Sequence, residues 1–112
     1  MSEVLLTRAL VLESPVRVSD GAGGFTLTWV AQGQVWGEVK PGAGSDPAAI
    51  EVSLATVPYR ITVRGAPVGS PARPKPEQRF RDGSRIYHIL AVTERDADAI
   101  YLTCFAKEEV PE

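Results

Sequence analysis

The residues able to do chemistry are few: His88, Cys104, the carboxylate pairs Asp96/Asp98 and Glu108/Glu109, and a glycine-dense run from Gly21 to Gly24. An imidazole metal site needs a second histidine, and His88 is the sequence's single one. A thiolate nucleophile needs an activating base, for which His88 is the single candidate. Cys104 follows Leu102 on one strand face and reads as a buried, inert thiol. His88 alternates with Tyr87 and Ile89, as a surface or packed strand residue does. The two carboxylate pairs read as a turn former and as solvated charge rather than as an acid and its base. Gly21–Gly24 lacks the following Lys-Ser/Thr and helix of a phosphate loop, so it reads as a tight turn. No catalytic residue, metal or cofactor is expected, and the chain is not read as an enzyme.

Charge distribution says more. Between Arg60 and Arg85 lie seven basic residues (Arg60, Arg64, Arg73, Lys75, Arg79, Arg81, Arg85) against Glu77 and Asp82. The net charge of the whole chain is −2, so the remainder is strongly acidic. Arg73, Lys75, Arg79 and Arg81 are therefore candidates to meet DNA phosphates or an acidic partner. The plainer reading makes them the solvated outer faces of strands.

These groups must be positioned by strands. Asp20–Gly24 is a reversal, after which Phe25, Leu27 and Trp29 alternate with Thr26, Thr28 and Val30 in the pattern of a half-buried strand. Gln32-Gly33-Gln34 reads as a second tight turn, and Val35–Val39 as a second strand ending at Pro41. Trp36 shares a face with Glu38 and Lys40, opposite Val35 and Val39. If the valines face the core, Trp36 points outward, where a large aromatic often anchors an interface.

Residues 1–13 fit a short helix or an extended arm equally well, and Pro15 is expected to end either. Val16–Val18 makes a short edge strand. Residues 40–47 form a loop, followed by strands at Ile50–Leu54 and Tyr59–Arg64. The proline-rich segment from Gly65 to Gln78 is a second loop with a stiffened path. Asp82-Gly83 marks a hairpin between Arg79–Arg81 and Arg85–Val92. Ile100–Ala106 is the last strand, and residues 107–112 are expected to fray as an acidic tail.

One domain of 112 residues with 44% apolar content is large enough for its own core. Six or seven short strands with two long loops predict an all-β fold. A small antiparallel barrel or sandwich is the economical form, because closure removes exposed edges. No apolar run reaches the length of a membrane span, and the start has no signal-peptide pattern.

Several stretches, taken in order, resemble tailed-phage head–tail joining proteins, also called head-closure or stopper proteins. They are Asp20-x-x-Gly23-Gly24, Trp29, Val35-Trp36-x-Glu38-Val39-x-Pro41, Tyr59–Arg64, and Arg79-x-x-x-Gly83-x-x-x-Tyr87-x-Ile89-x-x-Val92. The resemblance runs from about Leu10 to Cys104; Gly37 stands where it would place alanine. It implies a small β-barrel and a structural role in a tailed phage or a gene transfer agent. Copies would form a dodecameric ring in the particle's neck, assembled in the bacterial cytoplasm. Its partners would be the portal and its adaptor, a tail terminator or tube protein, and the packaged double-stranded DNA. The loop Pro41-Gly42-Ala43-Gly44-Ser45-Asp46-Pro47 would project into the channel and gate it. Trp36, Arg73, Lys75, Arg79 and Arg81 would serve the ring or partner interface.

Two other readings stay open at this point. One is a tail-completion or tail-terminator protein at the same joint. The other is a small barrel binding single-stranded nucleic acid, with Arg79, Arg81 and Arg85 beside Phe80 and Tyr87 as stacking platforms.

Overall fold

A computed structural model describes residues 4–42, 56–98 and 100–109. Among them six strands form one antiparallel sheet: β1 (Arg8–Ser19), β2 (Phe25–Pro41), β3 (Thr56–Arg64), β4 (Arg79–Asp82), β5 (Arg85–Glu94) and β6 (Tyr101–Glu109). The sheet closes as a barrel in the order β1-β2-β3-β6-β5-β4. Closure is made by the short β4, which pairs with β1 at Val11–Glu13 and with β5 along its whole length. The expected β-barrel is what the chain forms.

Inward-facing residues of five strands fill the interior: Leu10 and Leu12, Ile61 and Val63, Phe80, Tyr87 and Ile89, and Leu102, Cys104 and Ala106. Val35, Val39, Tyr59 and Val92 pack against them. Alternation breaks once on β5, where Leu90 is an extra residue between the pairs Ile89↔Ala106 and Ala91↔Phe105. This bulge re-phases the strand, so that Val92 rather than Ala91 packs on the core. Gly37 is closely packed, and a side chain there would need the Leu10 side chain to shift. A Cβ there would meet Leu10 Cδ1 at 2.8 Å and the Thr62 carbonyl oxygen at 3.3 Å.

Three sequence expectations are corrected. Gln32-Gly33-Gln34 is not a turn, because β2 runs unbroken through it. The register shift between Leu12↔Gly33 and Glu13↔Ala31 makes Gln32 the extra residue of a bulge, and Gly33 takes φ = 141° there. Pro15 does not end an element but lies inside β1, paired with Trp29. Residues 107–109 are not frayed: they complete β6, paired with both β3 and β5. The expected strand at Ile50–Leu54 lies outside the described residues.

The first two corrections together produce a feature that the barrel does not need. Among the described residues, β1 beyond Glu13 and β2 before Gly37 pair only with each other. Residues 14–31 therefore leave the barrel as a two-stranded arm, about 20 Å long at a strand's rise per residue. Its tip is the Asp20–Gly24 turn. The Asp20 amide donates to the Gly24 carbonyl, and the Asp20 carboxylate accepts from the amides of Ala22 (2.8 Å) and Gly24 (3.0 Å). Gly21 and Gly23 have φ of 80° and 88°, which a side chain would oppose.

These amide bonds hold the Asp20 carboxyl below its ordinary value of 3.8. A depressed carboxyl contributes its stabilisation above the unfolded pKa and loses it as pH falls through the folded one. We therefore expect hydrogen exchange at the Ala22 and Gly24 amides to gain relative protection loss below about pH 3.8, with the barrel amides unaffected. Loss of protection already at pH 5 would contradict the turn geometry.

Candidate functional site

The arm's root is a compact polar cluster on the outside of the barrel. Glu13 and Arg79 are neighbours across β1 and β4, and both are buried. Arg79 Nε donates to Glu13 Oε1 at 2.6 Å, and Arg81 Nη2 lies 3.2 Å from Glu13 Oε2. Trp29, reaching back from the arm, lays its ring 4.1 Å from the Arg79 guanidinium carbon. Its other neighbour is His88, with ring centroids 6.0 Å apart in an edge-on arrangement. A planar guanidinium can hold a carboxylate in its plane and an aromatic ring on its face at once, which a lysine could not do. The cluster fixes how the arm leaves the barrel.

Along the arm, opposite residues share a face. One face carries Pro15, Trp29, Arg17, Leu27 and Phe25, with the Arg17 guanidinium 5.8 Å from the Phe25 ring. The other carries Val16, Val18 and Val30 among threonines and Ser14. Phe25 is 65% exposed and Leu27 57%, and the three valines are 43–45% exposed. A ribbon with apolar residues on both faces has no hydrophobic reason to stand alone in water.

Trp36 points outward and is 54% exposed, opposite Val35 and Val39 on the core side. It borders a groove of about 400 Å³ shared with Leu6, Gln34, Arg64, Ala66 and Ala72. Among the basic candidates, Lys75 and Arg81 are exposed, while Arg73 is half-buried and donates from Nη1 to the Ala66 carbonyl at 2.9 Å. Arg79 is taken up by Glu13 and Trp29. The structure thus brings Arg79 and Arg81 together on one carboxylate and leaves Lys75 and Trp36 apart from them.

At one end of the barrel, Arg85 grips Glu108 through Nε and Nη2 (2.7 and 3.0 Å) and reaches the Tyr59 hydroxyl at 3.1 Å. This pairing lowers the Glu108 carboxyl below its usual value. Beside it, Arg8 pairs with Asp82. Of the expected gating loop, Pro41 ends β2, and the Gly42 amide donates to the Pro58 carbonyl at 2.9 Å. Ala43, Gly44, Ser45, Asp46 and Pro47 lie outside the described residues.

The nucleic-acid reading does not survive. Phe80 and Tyr87, its stacking platforms, are wholly buried in the core, and Arg79 is buried against Glu13. Burial also pushes the Cys104 thiol up to about 12, far from a thiolate at neutral pH. No group of three or more metal-ligating side chains occurs among the described residues. No helix among them is long and apolar enough to cross a membrane.

The residues that sequence reasoning missed are those of the arm. The available signal was a run of alternating apolar residues on both sides of a glycine turn, too long for one barrel wall.

Comparison with known proteins agrees with this inventory. The family model of the phage head completion protein matches residues 1–109. A chain in the virion of a native gene transfer agent particle is 59% identical, with a TM-score of 0.79 over 96% of this chain and 98% of that one. Protein SF1141 from Shigella flexneri 2a has the same fold, with a TM-score of 0.71 at 16% identity over the full length of both chains. No curated protein matches the chain. The chain belongs to the phage head completion protein family, and it is a structural protein rather than an enzyme.

Proposed function

We propose that this head completion protein acts as the stopper of a tailed particle of the gene transfer agent kind. Copies form a dodecameric ring below the portal and its adaptor, close the channel on the packaged double-stranded DNA, and offer the surface to which the tail attaches. Head–tail joining as a virion protein is the part the family carries. The ring, its partners and its gate are the finer part of the proposal. The observation that supports it best is 59% identity, over nearly the whole chain, to a chain of a gene transfer agent virion.

The residues divide the work. Trp36 and its groove, with Lys75 and Arg81, face neighbours in the neck, while Arg73 and Arg79 shape the surface from within. The segment Pro41–Pro47 gates the channel, with its first foot tied to β3 through Gly42. Tail completion at the same joint is the competing role, and the two differ in what the free protein binds. We expect the purified chain to sediment as a monomer at micromolar concentration and to bind DNA-filled, tail-less heads rather than free tails. A stable ring without heads contradicts template-driven assembly; binding to tails alone favours the terminator role.

A further inference from the structure

The arm's strands have open edges as well as exposed faces, and the hydrogen-bond parity of the ribbon identifies the groups on them. In an antiparallel pair, residues alternate between bonded positions, whose amides face the partner strand, and non-bonded positions, whose amides face away. Asp20 and Gly24 form a bonded pair at the tip. Counting back along an unshifted register, Ser19↔Phe25, Arg17↔Leu27 and Pro15↔Trp29 are non-bonded pairs. Pro15 agrees with this, because its missing N–H then falls on the open edge. The amides of Arg17 and Ser19 therefore face out from the β1 edge, and those of Phe25 and Leu27 from the β2 edge. Among the described residues, neither edge meets another strand.

We propose that the arm is the element through which copies of this chain join, the β2 edge of one arm pairing antiparallel with the β1 edge of the next. The proposal rests on the stopper reading, which requires a closed ring. Strand direction supports a second copy. When arms stand side by side around a rotation axis, the descending β2 of one lies beside the ascending β1 of its neighbour. Antiparallel pairing then arises without any copy turning over, and each copy gives one edge and receives another. Such a head-to-tail contact closes into a ring and leaves no edge exposed.

Charge and area agree. Residues 14–31 carry only Arg17 and Asp20, so identical arms do not repel, and nothing on the arm favours DNA. Phe25 and Leu27 on one face and the three valines on the other together expose on the order of 400 Å² of apolar surface. A standard interface buries roughly 800 Å² per partner, so one arm contact is too small to hold free copies together. It becomes sufficient when the connector has already gathered them.

The test places p-benzoylphenylalanine at position 25 and irradiates assembled particles. The expected product is a dimer of this chain, with the label joined to a peptide from residues 14–19 of another copy. A second variant, Leu27→Pro, removes an outward amide while leaving the ribbon's own ladder intact. Amide protection at Val18 and Thr26 should persist in it, with completed particles reduced about tenfold or more, the equivalent of roughly 1.4 kcal/mol. Cross-links solely to other neck proteins, or normal particle yield from Leu27→Pro, overturn the arm proposal and leave the stopper role standing. Absence of the chain from the particles overturns both.

Discussion

Replacing Phe80 with alanine should destabilise the domain by about 4 kcal/mol, lowering its melting temperature by roughly 15–25 °C. Phe80 lies on β4, the shortest strand, and is fully buried. It pairs with Leu12 on one side and Tyr87 on the other, both buried, so the three side chains make one continuous row across the seam that closes the barrel. Removing the ring loses its transfer free energy and leaves a cavity that two tethered strands cannot easily collapse. Because domains of this size are stable by only about 5–15 kcal/mol, the variant should be marginal at physiological temperature. Phe80→Leu should cost about 1–2 kcal/mol, since much of the volume is kept. Urea unfolding monitored by circular dichroism measures both. A loss below about 1 kcal/mol for the alanine variant would show that the seam does not depend on this packing.

The largest functional effect is expected from shortening the gating segment. Substituting residues 42–47 by a tight turn should leave the barrel folded, because β2 ends at Pro41 and β3 begins at Thr56, so the segment lies between the paired strands. The variant should still occupy heads. Those heads should fill and then lose DNA before tails attach, because a tight turn is too short to reach across a channel as the proposed gate must. Nuclease sensitivity of DNA in purified tail-less heads measures this. Full protection would move the gate elsewhere, with the proline-rich segment from Gly65 to Gln78 as the next candidate.

The elements legible in the sequence were those whose signals are local. Asp20–Gly24 and Asp82-Gly83 read as turns because glycine at positive φ is a property of the residue itself, and Gly21, Gly23 and Gly83 adopt it. Tyr59–Arg64 and Arg85–Ile89 read as strands because one face is buried along their length. Trp36 could be assigned outward once Val35 and Val39 were assigned inward. What failed depended on partners distant in the chain. Gln32-Gly33-Gln34 is the same string whether it reverses the chain or bulges from it, and only its pairing with Leu12 and Glu13 decides. Pro15 looks like a terminator until its missing N–H is seen to face an open edge. Arg79 looks like a surface cation because Glu13, which buries it, lies 66 residues away. The charged end of β6 looks solvated because Arg85 and His88, its partners, are invisible from within it.

The most direct test of the account is to assemble particles without this chain and add it back. DNA-filled heads and complete but separate tails should accumulate, and the purified chain should restore tailed, DNA-retaining particles in vitro. Electron microscopy with a label at the end of β6 should then find the added chain as a ring at the neck. Tailed particles that form and hold their DNA in its absence would contradict the account.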